Sequence, residues 1–211
     1  MLELLAILAI GFLAQVFFSA RIIVQWIMSE RAHRVLSPSA FWVFSIAGSY
    51  LLFIYGWLRS DFAIILGQFV SYFIYLWNLR AKGIWATLPL WLKGILLFTP
   101  LFVVIMVGAD ALGFVTRFFC NEGVPLWMLL FGSAGQVLFT LRFVVQWLHS
   151  RALGESQLPA SFWIISLVGS LIIVSYGIMR QDLVLIVGQS FGLVAYVRNL
   201  CIIREQRRRL K

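Results

Sequence analysis

Residues 11–29 have the sequence GFLAQVFFSARIIVQWIMS, and residues 132–150 return to it as GSAGQVLFTLRFVVQWLHS. The match continues without a gap over residues 11–79 and 132–200, with more than a third of the paired residues identical. Apolar composition alone cannot produce this match, because the shared residues are mostly polar, aromatic or glycine. The chain therefore contains a tandem repeat with an offset of 121 residues.

The composition excludes a water-soluble domain. Hydrophobic residues make up 62% of the 211 residues and charged residues 12%, with a mean hydropathy of +0.96, whereas soluble domains carry about 25% charged residues. The apolar runs are continuous and long enough for spanning helices, so an all-α integral membrane protein is predicted rather than a β-barrel. We expect seven transmembrane helices, at about 2–28, 41–58, 62–79, 89–108, 126–148, 162–179 and 183–203.

Each repeat contains three of these helices, and the helix at 89–108 has no counterpart. Three spans would invert the next repeat, and the extra helix restores its orientation, so two parallel repeats are predicted, an arrangement typical of transporters. The expected divisions are the first repeat, the linker helix with its loop, the second repeat and a basic tail, at 1–80, 81–125, 126–203 and 204–211.

The distribution of basic residues predicts the orientation. With the N-terminus outside and the C-terminus in the cytoplasm, inner loops and tail hold most of the positive charge. The inner set is Arg31, Arg34, Arg80, Lys82, Arg151, Arg204, Arg207, Arg208, Arg209 and Lys211, and the outer set is Arg59, Arg117 and Arg180.

Helical spacing places the polar residues that the two repeats share on one face of the first and third helix of each repeat. Mid-membrane amides and aromatic residues on these faces are candidates for a substrate pathway, with interhelical hydrogen bonding as the alternative role. The candidates are Gln15, Gln25, Gln68, Asn78, Gln136, Gln146, Gln189, Asn199, Tyr75 and Tyr196, together with Trp42 and Trp163, for which anchoring in the membrane interface is the other interpretation.

Two arginines at equivalent positions are the most informative charges. An arginine at the centre of a membrane costs about 2.5–3.5 kcal/mol on insertion scales, and none of the eight acidic residues is expected at the depth of Arg21 or Arg142. A ligand phosphate would supply the missing negative charge, because the planar guanidinium donates two parallel hydrogen bonds. The alternatives are that the two side chains extend to cytoplasmic lipid headgroups or stack on the face of a tryptophan. Asp61 and Asp182 are expected to cap helices.

The repeat resembles the lipid-A-disaccharide synthase N-terminal domain family. The resemblance rests on Gly-Gln, Arg-Phe, Gln-Trp, Pro-x-x-Phe-Trp and Tyr-x-Arg-Asn motifs. The second repeat has them in full, at Gly135-Gln136, Arg142-Phe143, Gln146-Trp147, Pro159 with Phe162-Trp163, and Tyr196 with Arg198-Asn199. The first repeat departs from the pattern at Ala14, Ile22 and Trp77. The family is similar to PQ-loop and SWEET-type carriers, which implies their fold.

The resemblance implies a carrier in the bacterial cytoplasmic membrane for a phosphate-bearing lipid-linked sugar, such as a polyprenyl-phosphate glycan. The alternatives are a carrier of a free sugar or small solute, and a non-transporting scaffold for a membrane glycosyltransferase. No catalytic group, cofactor or metal site is expected, because His33 and His149 are not equivalent and lack nearby ligands. The net charge of +9 does not predict nucleic-acid binding, because the basic residues flank apolar runs.

Overall fold

The computed structural model describes residues 2–113, 116 and 125–209. The described residues form helices and no strands. The helices are α1 Leu2–Ala32, α2 Ser39–Leu58, α3 Phe62–Ala81, α4 Ile84–Thr87, α5 Leu90–Ala109, α6 Leu126–Leu153, α7 Ala160–Met179 and α8 Leu183–Arg209. Among the described residues, helices α1, α2, α5, α7 and α8 are long and apolar enough to cross a membrane. The structure is that of a multi-pass membrane protein, and the number of spans stays a prediction.

Several helix boundaries differ from those predicted. Helix α1 continues to Ala32 and α8 to Arg209, each beyond the end of its apolar run. Glutamate, glutamine and arginine are good helix formers, so the polar residues that follow the apolar run prolong the helix. The four-residue helix α4 was not predicted. Arg117 and Lys211, which contributed to the charge comparison, lie outside the described residues.

The repeat is also present in the backbone at the two ends of the bundle. His33 and Gly154, which are equivalent, adopt left-handed conformations with φ of 51° and 73° where α1 and α6 end. Ser60 and Gln181, also equivalent, have φ of 52° and 51°. A left-handed residue terminates a helix, so both repeats turn at matching positions. We call the end with residues 33–38 and 154–159 the loop end, and the opposite end the turn end.

The two repeats interlock through their first and third helices. Helix α1 packs against α8, and α6 packs against α3, while α2 and α7 pack mainly against helices of their own repeats. Close packing within each repeat depends on Gly48 and Gly169. A Cβ at Gly48 would lie 2.6 Å from the Phe18 ring, and one at Gly169 would lie 3.1 Å from the Phe139 backbone nitrogen. Small residues of this kind let membrane helices approach one another.

Helix α5 attaches to the first repeat through two tyrosines. Pro100 has no backbone N–H, so the carbonyl of Leu96 lacks its usual helical donor. The Tyr72 hydroxyl donates to that carbonyl at 2.7 Å, and the Tyr50 hydroxyl lies 2.6 Å from Thr99 Oγ1. The second repeat has leucine at both equivalent positions. The second repeat therefore has no hydroxyl at the positions that would make these two hydrogen bonds.

We expect the Tyr72→Phe variant to be less stable, because the buried Leu96 carbonyl would lose its donor. An unsatisfied buried group costs about 1–3 kcal/mol. In a Pro100→Ala background the backbone N–H of residue 100 can donate to the same carbonyl, so the cost should fall. Unfolding of the unaltered protein, the two single variants and the double variant in mixed micelles measures the effect. An equal cost of Tyr72→Phe with and without Pro100→Ala would contradict the role of the Tyr72 hydroxyl as donor to the Leu96 carbonyl.

Candidate functional site

Both arginines lie inside the protein, on the two helices that carry the repeated motif. Arg21 on α1 is 3% exposed, and Arg142 on α6 is 1% exposed. The two side chains line one cavity between the repeats. The proposal that they extend to lipid headgroups is therefore wrong. Six further candidates line the same cavity: Gln15, Gln68, Tyr75, Gln136, Gln189 and Tyr196.

Each guanidinium makes the same two hydrogen bonds within its own repeat. Its Nη1 atom donates to a serine on the second helix and to a tyrosine on the third. For Arg21 these are Ser45 at 2.9 Å and Tyr75 at 3.4 Å, and for Arg142 they are Ser166 and Tyr196, both at 3.2 Å. Hydroxyl groups orient the two guanidinium groups but do not neutralise them.

Aromatic rings surround the two charges. Arg142 lies 3.4 Å from the centroid of Phe139, and Arg21 lies 4.4 Å from that of Phe18. The ring of Phe143 is within 5.5 Å of both. Within the described part of the chain, neither arginine has an acidic partner within 4.0 Å. Cation–π contacts contribute about 0.5–2 kcal/mol, less than the several kcal/mol that burial of an ion costs.

Three buried polar atoms around this cavity have no hydrogen-bond partner among the described residues. They are Nε of Arg21, Nε of Arg142 and Oε1 of Gln68. The equivalent of Gln68, Gln189, instead accepts a hydrogen bond from Ser170 at 3.0 Å. The cavity holds about 30 Å³, and one water needs roughly 10–15 Å³. In this conformation the cavity therefore has room for about two waters.

One layer of amides separates this cavity from the loop end. Gln25 pairs with Asn199 at 2.8 and 3.1 Å, and Gln146 pairs with Asn78 at 3.0 and 3.1 Å, each amide both donating and accepting. All four side chains are fully buried. We call these residues the amide layer. It joins α1 to α8 and α6 to α3, so these four candidates form hydrogen bonds between the repeats.

Tyrosine–aspartate pairs close the turn end, and each pair also joins one repeat to the other. Tyr55 donates to Asp182 at 2.8 Å, and Tyr176 lies 3.5 Å from Asp61. Both aspartates also cap helices, as predicted: Asp61 accepts from the backbone of residue 64, and Asp182 from the backbones of residues 184 and 185. Each aspartate therefore has a local and an inter-repeat role.

We expect the Asp182→Ala variant to be less stable by about 1.5–5 kcal/mol. Loss of a helix cap costs about 0.5–2 kcal/mol, and the buried Tyr55 hydroxyl would lose its acceptor at about 1–3 kcal/mol. Asp182→Asn should cost less, because asparagine also caps helices and accepts from the hydroxyl. Asp61→Ala is the matched variant, and we expect a smaller cost because its tyrosine lies farther away. Unfolding measurements that give the opposite order would contradict this assignment.

Comparison with known proteins agrees with this repeated arrangement. The family described as Lipid A Biosynthesis N-terminal domain matches residues 10–80 and again residues 131–201. The chain belongs to this family. Each match covers one repeat, which contains one of the two buried arginines and one residue of each amide pair.

The relatives found for this member of the Lipid A Biosynthesis N-terminal domain family are longer proteins. Those from Chlamydia felis and Chlamydia pneumoniae, both called lipid-A-disaccharide synthase, are 30% and 28% identical to it. Each alignment covers 94% of this chain and 33% or 34% of the relative. The chain therefore spans about a third of the length of these relatives. No solved structure matches it significantly.

The two tryptophans lie in the protein core and have no exposed surface for lipid headgroups. Trp42 and Trp163 are fully buried and pack beside Tyr75 and Tyr196, at ring distances of 6.1 and 6.0 Å. The interfacial-anchor prediction is therefore wrong, because each ring fills the core behind the tyrosine that contacts an arginine. Trp42 Nε1 donates to the Ser37 hydroxyl at 3.0 Å, whereas Trp163 Nε1 has no partner among the described residues.

A larger basic cavity opens at the loop end. It holds about 940 Å³ and is lined by loop residues of both repeats. Its basic side chains are Arg34, Lys82, His149 and Arg207, and Glu155 is its acid. Burial lowers the pKa of Lys82, an effect partly opposed by Glu155. The excess of positive charge favours anions at this end of the bundle.

Sequence reasoning missed the loop serines and assigned no role to the phenylalanines of the site. Ser156 donates to Asn78 at 2.7 Å and lies 2.9 Å from Ser37, so the two loops meet over the amide layer. Phe18 and Phe139 contact the arginines but look like ordinary apolar residues in a membrane helix. Their repeated spacing, three residues before each arginine, was the available signal.

Proposed function

We propose that this protein moves a phosphate-bearing lipid-linked sugar across the bacterial cytoplasmic membrane by alternating access. The observation that carries this proposal is the pair of buried arginines, which share one cavity and have no acidic partner in the described structure. The proposed role is transport and not catalysis.

The chemistry of the cavity fits a phosphate group. Nη1 of each guanidinium is already engaged, while the two Nε atoms lack acceptors. A phosphate between Arg21 and Arg142 would accept from both and supply the missing negative charge. Hydrogen bonds to charged groups contribute about 1.5–3 kcal/mol each. The aromatic rings around the site lower the local dielectric constant and so strengthen this interaction.

Closure at both ends supports alternating access. The amide layer blocks the loop end, and the tyrosine–aspartate pairs block the turn end. Between them the cavity is too small for a sugar phosphate, so loading requires the repeats to separate at one end. The crossed hydrogen bonds are placed to break in such a motion, because each joins one repeat to the other. The basic loop-end cavity would attract the anionic headgroup.

The proposed topology has seven spans, with α3 and α6 among them and the N-terminus outside. This topology places the basic loop-end cavity in the cytoplasm, where most basic loop residues are expected. The relatives called lipid-A-disaccharide synthase suggest a glycolipid context. A membrane lipid and a lipid-linked sugar are thus the proposed partners.

A reconstituted transport assay tests the proposal. Purified protein in vesicles should flip a labelled polyprenyl-phosphate sugar and leave a labelled free sugar outside. Uptake of the free sugar without lipid flipping would replace this proposal with the small-solute carrier.

The scaffold remains a second candidate, because the relatives carry this region within chains about three times as long. A scaffold would join a membrane glycosyltransferase without moving a lipid. Copurification of a stable complex with a glycosyltransferase, combined with no flipping in vesicles, would favour it.

A further inference from the structure

A second, apolar cavity lies beside the arginine cavity, between α3 and α6. It holds about 280 Å³. Its walls are almost entirely apolar and include Leu66, Val70, Val137 and Leu141. We call it the lateral groove. Val137 is 57% exposed and Leu66 and Leu141 are each 41% exposed, so the lateral groove opens toward the surface of the bundle that lipid would cover.

The lateral groove and the arginine cavity are adjacent. Gln136 and Thr140 line both of them. From the outside inward, the lining changes from aliphatic side chains to an amide and a hydroxyl, and then to Arg142. This order of chemistry matches an amphiphile, with a hydrocarbon chain outside and an anionic head inside.

The equivalent interface between α1 and α8 is packed differently at its glycine. A Cβ at Gly188 would lie 2.1 Å from Oε1 of Gln15, so the glutamine side chain occupies that space. At Gly67, the equivalent of Gly188, the nearest atoms are Thr140 Oγ1 at 3.0 Å and Gln136 Oε1 at 3.5 Å. The two repeats are thus alike at the arginines but differ at the interface through which a chain would enter.

We propose that the lateral groove holds a hydrocarbon chain of the substrate while its phosphate lies at Arg21 and Arg142. This inference rests on the proposed function and adds that the substrate enters between α3 and α6, not between α1 and α8. The size suits this occupant, because a dry apolar cavity of about 150 Å³ already binds benzene. A free sugar has no apolar chain for this groove.

Photolabelling with a chain-tagged lipid tests the inference. The protein is reconstituted in phosphatidylcholine vesicles that contain a polyprenyl phosphate with a diazirine at mid-chain, and labelled peptides are mapped after illumination. We expect label to concentrate on α3 and α6. Val137→Trp fills the groove and should lower this labelling several-fold. Val16→Trp is the matched control, because Val16 is the equivalent residue on α1 and is 61% exposed.

Label spread evenly over all lipid-facing helices, or equal labelling of the two tryptophan variants, would overturn the inference. The arginine variants separate this failure from failure of the proposed function. If Arg21→Gln with Arg142→Gln abolishes flipping but Val137→Trp leaves labelling unchanged, the groove assignment alone is wrong. If Val137→Trp lowers labelling but the arginine variants flip normally, the groove binds lipid and the phosphate site is wrong.

Discussion

Replacing both Arg21 and Arg142 with glutamine should lower lipid flipping by at least roughly a hundredfold. Two charge-assisted interactions at about 1.5–3 kcal/mol each correspond to a loss of that size or larger, since about 1.4 kcal/mol is a factor of ten. Glutamine retains donor groups but removes the charge. Flipping of a labelled polyprenyl-phosphate sugar in vesicles is the measurement.

Lysine variants and a surface control sharpen this result. Arg21→Lys with Arg142→Lys keeps both charges but loses the planar fork, so intermediate flipping is expected. Arg31→Gln with Arg204→Gln also removes two positive charges, from exposed positions at the loop end, and should flip like the unaltered protein. Should the double glutamine variant fail to fold, the two single variants replace it. Unchanged flipping in folded variants would exclude the arginines from transport.

Replacing Asn78 with leucine should destabilise the protein by about 2–6 kcal/mol. The Asn78 amide is fully buried, exchanges two hydrogen bonds with Gln146 and accepts a third from Ser156. Leucine is similar in size, so the cost comes from two groups that lose a partner, at about 1–3 kcal/mol each. Gln146 Oε1 loses its donor, and the Ser156 hydroxyl loses its acceptor. Unfolding in mixed micelles of detergent and denaturing surfactant gives the measurement.

The chain offers two comparisons for this substitution. Asn199→Leu removes the equivalent pair with Gln25 but no loop serine, so we expect a smaller loss. Adding Gln146→Leu to Asn78→Leu removes both partners and should recover part of the stability, because two apolar side chains leave fewer groups unpaired. A cost below about 1 kcal/mol for Asn78→Leu would contradict a role for the amide layer in holding the repeats together.

The repeat, the helical class and the faces that carry the polar residues were predictable from the sequence. Gln15, Arg21 and Gln25 follow helical spacing, and the duplicated pattern separates them from the apolar background. The lack of an acidic partner for either arginine among the described residues agrees with the expectation that the acidic residues lie near helix ends. The N-caps at Asp61 and Asp182 follow from local sequence alone.

The crossed pairing was not predictable, because it joins residues far apart in the chain. Gln25 and Asn199 are separated by 174 positions, and no local rule says which helix of one repeat faces which helix of the other. The burial of Trp42 and Trp163 was not predictable either, because a tryptophan after a proline at a helix start suits a membrane interface equally well. Packing of the surrounding helices over these rings buried them in the core instead.

The sequence by itself determined a duplicated bundle of membrane helices with one uncompensated arginine in each half, because periodicity and charge are local properties of the chain. The tertiary structure alone decided that both arginines share a single cavity, that amides and tyrosine–aspartate pairs close it, and that one interface has an open groove. These features depend on how the two halves fill space against each other. Small differences between equivalent residues, such as the position of Gln15 against Gly188 and of Gln136 beside Gly67, then make similar sequences pack differently.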